Sequence, residues 1–597
     1  MRDREPNVQW LQRSAGAASY RELHAWSVSQ REEFWRVVLE RLGIRLRQPF
    51  TQLLDLSQGV EAPRWLVDAR LNIADSCFQA PADRLAMVHQ REGGDLEALT
   101  LGELESLANR VANGLAGMGL RPGDAVAVVT PMSAEAVAFY LGAVKAGCVI
   151  VSIPDSFSPK EIATRLRLGG AKAVFTQDVN LRGGRALPLY ASVAAATELP
   201  TIVVRLATDV SVRAGDLEWG KFLGQSDQFE ARERRPDDPI NILFSSGTTG
   251  DPKAIPWTQT TPIKCAMDAH FHQDIHAGDV LVWPTNLGWM MGPWLIFAAL
   301  INRATIGLYN GAPGGRGFGQ FVERSHTTML GVVPSLVKAW RATGCLEGLD
   351  WSGIRVFSNT GECSNADDMA WLMARAGGKP VVEYCGGTEI GGAYLTSVIT
   401  EPCGAARFNT PALGLDLVIL DEDGQPADNG EVFILGPSIG LSNALLNHRH
   451  NDVYFAGTPR PGLRRHGDQI ERLPDGGYLA HGRVDDTMNL GGIKVGSAEI
   501  ERAVRSVGDL QDAAAIAVPP PGGGPSQLVI FVVAAAPGPD LAARMQQAIR
   551  RELSPLFRIH DVIRVDELPR TASNKVMRRV LRDRWQRTQA PAASAAS

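Results

Sequence analysis

From about Leu66 onward, short and wholly apolar runs alternate with longer stretches of helical periodicity, and this alternation restricts the fold more than any other feature. Leu101 to Met118 predicts a helix, Arg121-Pro122-Gly123-Asp124 a turn, and Ala125 to Val129 a strand too uniformly apolar to have a wet face. Glu135 to Ala146 then reads as a helix, Val149 to Ile153 as a strand, Pro159 to Leu168 as a helix and Ala173 to Phe175 as a strand. The rhythm returns at Val280 to Trp283, Met329 to Val333 and Ile354 to Phe357. Strands separated by helices of this length form βαβ units, so the sheets should be largely parallel and covered on both faces. No fixed-period repeat interrupts the pattern, which argues against a solenoid.

A chain of 597 residues should hold more than one domain. Residues 1–65 read as an accessory cap. Ser29-Gln30-Arg31-Glu32 has the form of a capping box, followed by Phe34, Trp35, Val38, Leu39 and Leu42 on one helical face that should pack on the main body. Residues 66–484 carry the α/β rhythm and end in small antiparallel strands at Leu417 to Leu420, Glu431 to Leu435 and Gly477 to Leu479. After Arg483-Val484-Asp485-Asp486 a fresh α+β pattern begins: helices at Ala498 to Val507 and Leu541 to Leu553, strands at Ala513 to Val518 and Leu528 to Val533. That places a small C-terminal domain at 485–588, followed by a disordered tail at 589–597. The fold class is thus α/β: a large domain of mainly parallel sheets with a small antiparallel β part, hinged to a small α+β domain.

Composition excludes several function classes. Lys and Arg number 60 against 65 Asp and Glu, a net charge of -5, which argues against a strongly electrostatic nucleic-acid binder. Cys77, Cys148, Cys265, Cys345, Cys363, Cys385 and Cys403 are scattered with no C-x-x-C, as befits reduced thiols in a cytoplasmic protein. No apolar run follows the charged residues at the start, so no signal peptide is expected. The strongly apolar stretch near Trp294 to Ile301 is about half of a bilayer span. His270, His272 and His276 cluster, but no carboxylate or Cys ligand stands at matching spacing, so metal binding there is not expected.

The most specific stretch is Ile242-Leu243-Phe244-Ser245-Ser246-Gly247-Thr248-Thr249-Gly250-Asp251-Pro252-Lys253. An apolar strand runs into small hydroxyl and glycine residues and then a lysine. Glycines let backbone amides turn toward an anion, hydroxyls add donors, and the ammonium adds charge, which is how a phosphate cradle is built. It is not a Walker A loop, because no Gly-Lys-[Ser/Thr] follows the glycines.

Ser245 to Lys253 resembles the phosphate loop of the adenylate-forming superfamily of acyl-CoA synthetases, peptide-synthetase adenylation domains and luciferases. The resemblance spans nearly the whole chain. Ser27-Val28, Glu33-Phe34-Trp35, Trp65-Leu66 and Leu71-Asn72-Ile73-Ala74 look like the cap of acetyl-CoA and acetoacetyl-CoA synthetases. Thr360-Gly361-Glu362-Cys363 resembles the segment lining the adenine pocket, and Tyr384-Cys385-Gly386-Gly387-Thr388-Glu389 resembles Tyr-Gly-x-Thr-Glu. The resemblance implies that Thr388 contacts the α-phosphate and Glu389 helps hold Mg²⁺, a cation that prefers hard oxygen ligands. It implies that Asp468 accepts from the ribose hydroxyls, that Arg483 contacts the ribose, and that Asp485 is the hinge. Gly491-Gly492-Ile493-Lys494 with Glu499 looks like the loop that enters the site for thioester formation, with Lys494 near the phosphates. Leu568-Pro569-Arg570-Thr571-Ala572-Ser573-Asn574-Lys575 resembles Leu-Pro-Lys-Thr-x-Ser-Gly-Lys, making Lys575 the lysine that bridges carboxylate and α-phosphate.

Two departures stand out. Cys385 occupies the place of an aromatic ring thought to stack on adenine, with Tyr384 one position earlier, and either could be the neighbour of the base. Asn574 replaces a glycine, and Asn tolerates a left-handed backbone. Gly386 stands where acetyl-CoA synthetases carry a Trp that blocks the pocket floor, leaving room for a medium-chain or aryl acid. Trp289 and Thr360 would line the same cavity, with Met290 and Met291 as adaptable wall. The implied substrates are ATP, a carboxylic acid and coenzyme A. A carrier protein or a nitrogen nucleophile stays open as acceptor, and Arg550 with Arg551 only loosely resembles a basic place near the CoA 3′-phosphate. A reading from another class is a non-catalytic sensor of acyl-adenylate or AMP, against which Glu389 and Lys575 both speak.

Overall fold

The structure is a computed structural model. It describes residues 4–589 apart from 208–209, 246–251, 363, 422, 484–486, 492, 509, 521–524, 535–537, 539 and 571–575; at 482, 483, 487, 494, 498, 579 and 589 it describes the backbone alone. The hinge expected at Asp485 and the tail from 590 onward therefore lie outside the described residues.

Among the described residues the apolar runs become strands of two large sheets. Ala125–Val129 and Val149–Ile153 are buried along their whole length, as runs without a polar face must be. They pair in parallel at the centre of a seven-stranded sheet. Pro239–Ser245 lies beside Val149–Ile153, also in parallel, and Lys253–Thr258 returns antiparallel along its other edge. The second sheet has nine strands. Its parallel core runs in the order Val381–Gly387, Val356–Asn359, Met329–Val332, Val280–Val282, Thr305–Asn310 and Leu85–Arg91. Helices Thr261–Phe271 and Met291–Ile301 are buried at every residue, and their side chains join strands of both sheets in one apolar core. The apolar stretch that reads as half a bilayer span is thus a core helix, and no described helix is long and apolar enough to cross a membrane.

The N-terminal segment packs on this body as expected. Phe34 and Trp35 are wholly buried, and Gly414 is bare because a Cβ there would stand 2.7 Å from the Phe34 ring. The capping box at Ser29 does not form, however. Ser29 closes helix Tyr20–Ser29, its hydroxyl donating back to the Ala25 carbonyl, and the next helix starts with no side-chain cap. The working cap is ten residues earlier, where Ser19 accepts from the Glu22 amide and the Glu22 carboxylate accepts from the Ala18 amide.

Asp416–Leu420, Asn429–Leu435, Leu463–Arg472 and Tyr478–Arg483 form an antiparallel sheet at the end of the large body. The small domain then opens with the hairpin Thr487–Leu490/Ile493–Gly496 and continues in a three-stranded sheet. Side chains alternate across that sheet. Ala513, Ala515 and Ile530 pack with helices Ser497–Arg505 and Leu541–Glu552, while Ala514, Ile516 and Phe531 pack with Leu568, Leu581 and Trp585 on the opposite face.

Candidate active site

The cavity that concerns function opens at the carboxyl ends of the parallel strands, where crossovers leave a crevice in α/β sheets. It encloses about 510 Å³. Its wall takes Ser245 from one sheet and Trp283, Asn310, Val333, Thr360 and Gly386 from the ends of five strands of the other. Lys253 lines it too, because the pair Ser245 and Lys253 closes the hairpin that carries the cradle. Ser246, Gly247, Thr248, Thr249 and Gly250 lie outside the described residues. The hydroxyl of Ser245 is buried at the rim and has no hydrogen-bond partner among the described residues, so it is a donor in waiting.

Thr388 and Glu389 reach the cavity from the turn after strand Val381–Gly387. Trp257 fixes the turn by donating its indole N–H to the Thr388 carbonyl at 2.8 Å. A Cβ at Gly387 would lie 2.8 Å from the Glu389 carboxylate, so any side chain there would push that carboxylate aside. Behind the turn, the buried imidazole of His466 stands between two acids, 3.7 Å from Glu389 Oε1 and 3.1 Å from Asp468 Oδ2. Tyr394 donates its hydroxyl to the same Asp468 oxygen at 2.9 Å. Arg483 is the direct cross-strand partner of Asp468, so the two residues expected at the ribose are brought together in the backbone.

Tyr384 does not face the cavity. It is 1% exposed, donates to Asp268 Oδ2 at 2.6 Å and accepts from the Trp294 indole at 3.0 Å. Asp268 is itself held by the Lys264 ammonium at 2.6 Å, by His272 at 3.2 Å and by the Ala393 amide at 2.9 Å. Burial raises the Asp268 carboxyl, but Lys264 and His272 outweigh it and hold the group at about 2. The strand's alternation sends Tyr384 into the core and Cys385 outward, where its Sγ lies 3.6 Å from Asp468 Oδ2. The sequence expectation for Tyr384 at the adenine is corrected on this geometry. The histidine cluster likewise separates: His272 serves Asp268, His276 faces Asp274, and His270 meets Asn302.

Gly361 and Glu362 sit beside the cavity on the loop after Val356–Asn359, with Gly361 at φ +96°. Burial pushes the Glu362 carboxyl up, opposed by the amide and hydroxyl of Ser335 at 2.9 and 3.0 Å. Cys363 lies outside the described residues. Thr360 lines the cavity and donates to the Tyr384 carbonyl at 2.5 Å. Gly386 also lines it, with no room for any side chain, since a Cβ would stand 1.8 Å from the Gly392 carbonyl. Trp289 is at the domain boundary, packing against the small-domain core and edge-on to Phe157 at 5.7 Å.

The small domain contributes Gly491, Ile493 and Leu556 to the cavity wall, and the Asn489 amide donates to the Gly361 carbonyl. Lys494 is paired with Asn489 in the hairpin backbone. Arg550 is exposed on helix Leu541–Glu552 and does not line the cavity. Besides Lys253, Arg182 lines it as a second basic group, beside Asn180 and Asp155. Asp155 accepts from the amides of Asn180 and Asn286, each at 2.7 Å, and burial raises its carboxyl. No sequence signal marks these residues. His466 does carry one, its place directly before Gly467-Asp468. Lys575 lies outside the described residues. Its flanks, Leu568 and the Arg570–Val576 bridge, belong to the sheet face turned away from Trp289.

Residues 73–442 match the family described as AMP-binding enzyme. The chain belongs to the AMP-binding enzyme family. Residues 20–77 of this AMP-binding enzyme match the acetyl-coenzyme A synthetase N-terminus, and 499–575 the AMP-binding enzyme C-terminal domain. The chain is 47% identical to the probable acyl-activating enzyme 17, peroxisomal, of Arabidopsis thaliana, with 96% of this chain and 84% of that one covered. It is 45% identical to hexanoyl-CoA synthase of Cannabis sativa, covering 95% and 84%. Identity to the acetyl-coenzyme A synthetase of Escherichia coli K12 is 30%, covering 87% and 84%. Among solved structures, acetoacetyl-CoA synthetase from Streptomyces lividans superposes with a TM-score of 0.77 at 28% identity, covering 96% of this chain and 92% of that one.

Proposed function

We propose that this ATP-dependent carboxylate–CoA ligase, which works through an acyl-adenylate and releases AMP and pyrophosphate, acts on a medium-chain or aryl acid in preference to acetate. The observation that carries the acid is the cavity itself, about 510 Å³, which runs from the bare backbone at Gly386 to Trp283, Leu336 and Ala339. The hexanoyl-CoA synthase relative supports the same size of acid.

A carboxylate resists nucleophiles because of its charge and has no usable leaving group. Attack of the carboxylate oxygen on the α-phosphate forms the mixed anhydride and expels pyrophosphate, and AMP then leaves when a thiol attacks. No enzyme nucleophile is needed, so the protein's work is positioning and charge neutralisation. Ser245, Lys253 and Thr388 would hold the phosphates, Asp468 and Arg483 the ribose, and Lys575 the oxygens that exchange bonds. Magnesium fits Glu389, a hard oxygen ligand on the same wall as Ser245 and Thr388. No group of three or more His, Cys, Asp or Glu among the described residues would hold an ion alone, which suits one that shares its shell with phosphates and water. Bound there, it would offset phosphate charge.

Gly491 and Ile493 stand at the cavity while the flanks of Lys575 pack on the far face of the small domain, which supports a thioester-forming arrangement here and a rotated one for adenylation. Lys575→Ala should abolish pyrophosphate exchange yet spare thioester formation from supplied acyl-adenylate; equal loss in both would reject the assignment. Extending acetate to hexanoate adds four methylenes at about 0.8 kcal/mol each, so kcat/KM for pyrophosphate release should rise on the order of a hundredfold. Preference for acetate would overturn the pocket reading, and running free CoA against a loaded carrier protein identifies the acceptor. Reduced, scattered thiols support a cytoplasmic setting, although the Arabidopsis relative is named peroxisomal; fractionation decides it.

A further inference from the structure

The two bodies meet at the start of helix Pro159–Gly169, a segment that the reaction chemistry does not use. Ser158 caps this helix, its hydroxyl accepting from the Glu161 amide. The same residue faces the C-terminal end of the small-domain helix Leu541–Glu552. Its amide donates to the Leu553 carbonyl at 3.1 Å and its hydroxyl to the Glu552 carbonyl at 3.1 Å. The last carbonyls of a helix have no partner within it. Here the large domain supplies those partners, and the positive end of one helix meets the negative end of the other. Lys160 adds an ion pair to the Glu552 carboxylate.

Beneath this contact the packing leads toward the phosphate loop. Phe157 stands edge-on to Trp289, which packs against the small-domain core. Arg165, 5% exposed, pairs with Glu161 at 2.5 Å and lies over the rings of Phe157 at 4.3 Å and Phe244 at 5.4 Å. Phe244 is the residue before Ser245. Docking at Ser158 is therefore continuous with the strand end that carries the cradle.

We infer that the first turn of helix Pro159–Gly169 is a latch for the small domain, and that Ser158 and Lys160 are positioning residues for the half-reaction in which Gly491 and Ile493 face the cavity. This rests on the proposed two-step ligase reading. Because the flanks of Lys575 lie on the far face, adenylation requires the latch to open, so its strength sets how the enzyme divides its time between the two steps.

The test is a charge swap. Lys160→Glu and Glu552→Lys should each slow single-turnover thioester formation from supplied hexanoyl-adenylate and CoA about fivefold, while pyrophosphate exchange stays within twofold or quickens. The double variant Lys160→Glu/Glu552→Lys should recover most of the loss, and Ser158→Ala should slow the same step about tenfold. Hydrogen exchange at the Ser158 amide reads docking without turnover and should quicken in each single variant and recover in the double. Equal loss in both half-reactions, failure of the double to recover, or unchanged Ser158 exchange would each overturn the latch. A protein inert toward every acid, but with the predicted exchange pattern, would instead refute the ligase reading.

Discussion

Tyr384 offers the sharpest separation between a residue that builds the site and one that touches the ligand. Its hydroxyl is the link between the Trp294 indole and the Asp268 carboxylate, and its ring is enclosed on all sides. Tyr384→Phe keeps the ring and removes that link. Asp268 retains Lys264, His272 and the Ala393 amide, so it loses one donor of several; a hydrogen bond to a charged group contributes about 1.5–3 kcal/mol. Trp294 loses the acceptor for its buried N–H, which adds about 1 kcal/mol. The sum is about 2.5–4 kcal/mol of stability, read as a lower denaturation midpoint of the large domain. The KM for ATP should stay within twofold, since no atom of the ring reaches the cavity wall. The network also carries a pH signature. Asp268 sits at about 2 in the folded chain, below an unfolded value near 3.9, so its contribution is present above about pH 4 and is lost as pH falls toward 2. Tyr384→Phe should blunt that acid transition. An ATP KM raised tenfold with unchanged stability would falsify the buried placement and return Tyr384 to the adenine.

Two further perturbations follow from the same strand. Gly386→Ala forces a Cβ against the Gly392 carbonyl at 1.8 Å, so the backbone must move; about 1–3 kcal/mol should be lost, and kcat/KM for hexanoate should fall more than that for acetate, as competition assays would report. Glu383 is raised to about 7 by burial, against the donors Ser364 and Asn359. Its stability is therefore full below about pH 4.3 and lost as pH climbs through 7. Glu383→Gln should gain up to about 3 kcal/mol relative to the parent at pH 8 and almost nothing at pH 4, and equal urea midpoint shifts at both pH values would contradict this.

How far the sequence could be read depends on how local each cause is. Runs such as Ala125–Val129 and Val149–Ile153 declare themselves because a strand buried on both faces admits no polar residue, and both occur with the predicted ends. Strand order is invisible at that level. Nothing within Pro239–Ser245 says that it will lie between Val149–Ile153 and Lys253–Thr258, yet that placement brings Ser245 and Lys253 to the cavity at the ends of the other sheet's strands. The capping box shows the same limit at short range. Ser19-Tyr20-Arg21-Glu22 and Ser29-Gln30-Arg31-Glu32 have equal local chemistry, and only in the first is the serine the N-cap, because the packed face from Tyr20 to Ser27 carries its helix through Ser29 and leaves Gln30 to start the next.

The site divides along that line. Motif residues could be placed because phosphate, ribose and magnesium demand particular groups at close spacing: Ser245, Thr388 and Glu389 line one crevice, and His466 joins Glu389 to Asp468 behind it. The residues that orient them come from elsewhere in the chain. Asp268, 116 positions before Tyr384, decides which of two adjacent side chains turns inward, and Ser335 restrains Glu362 from 27 positions away. Such partners answer to the fold and not to the ligand. Their spacing carries no motif, and the strand alternation that opposes Tyr384 to Cys385 is silent on which of them meets the core until Asp268 is in place. The same holds for Arg182, which no motif marks: only the topology shows that the hairpin Val179–Arg182/Arg185–Pro188 borders the cavity.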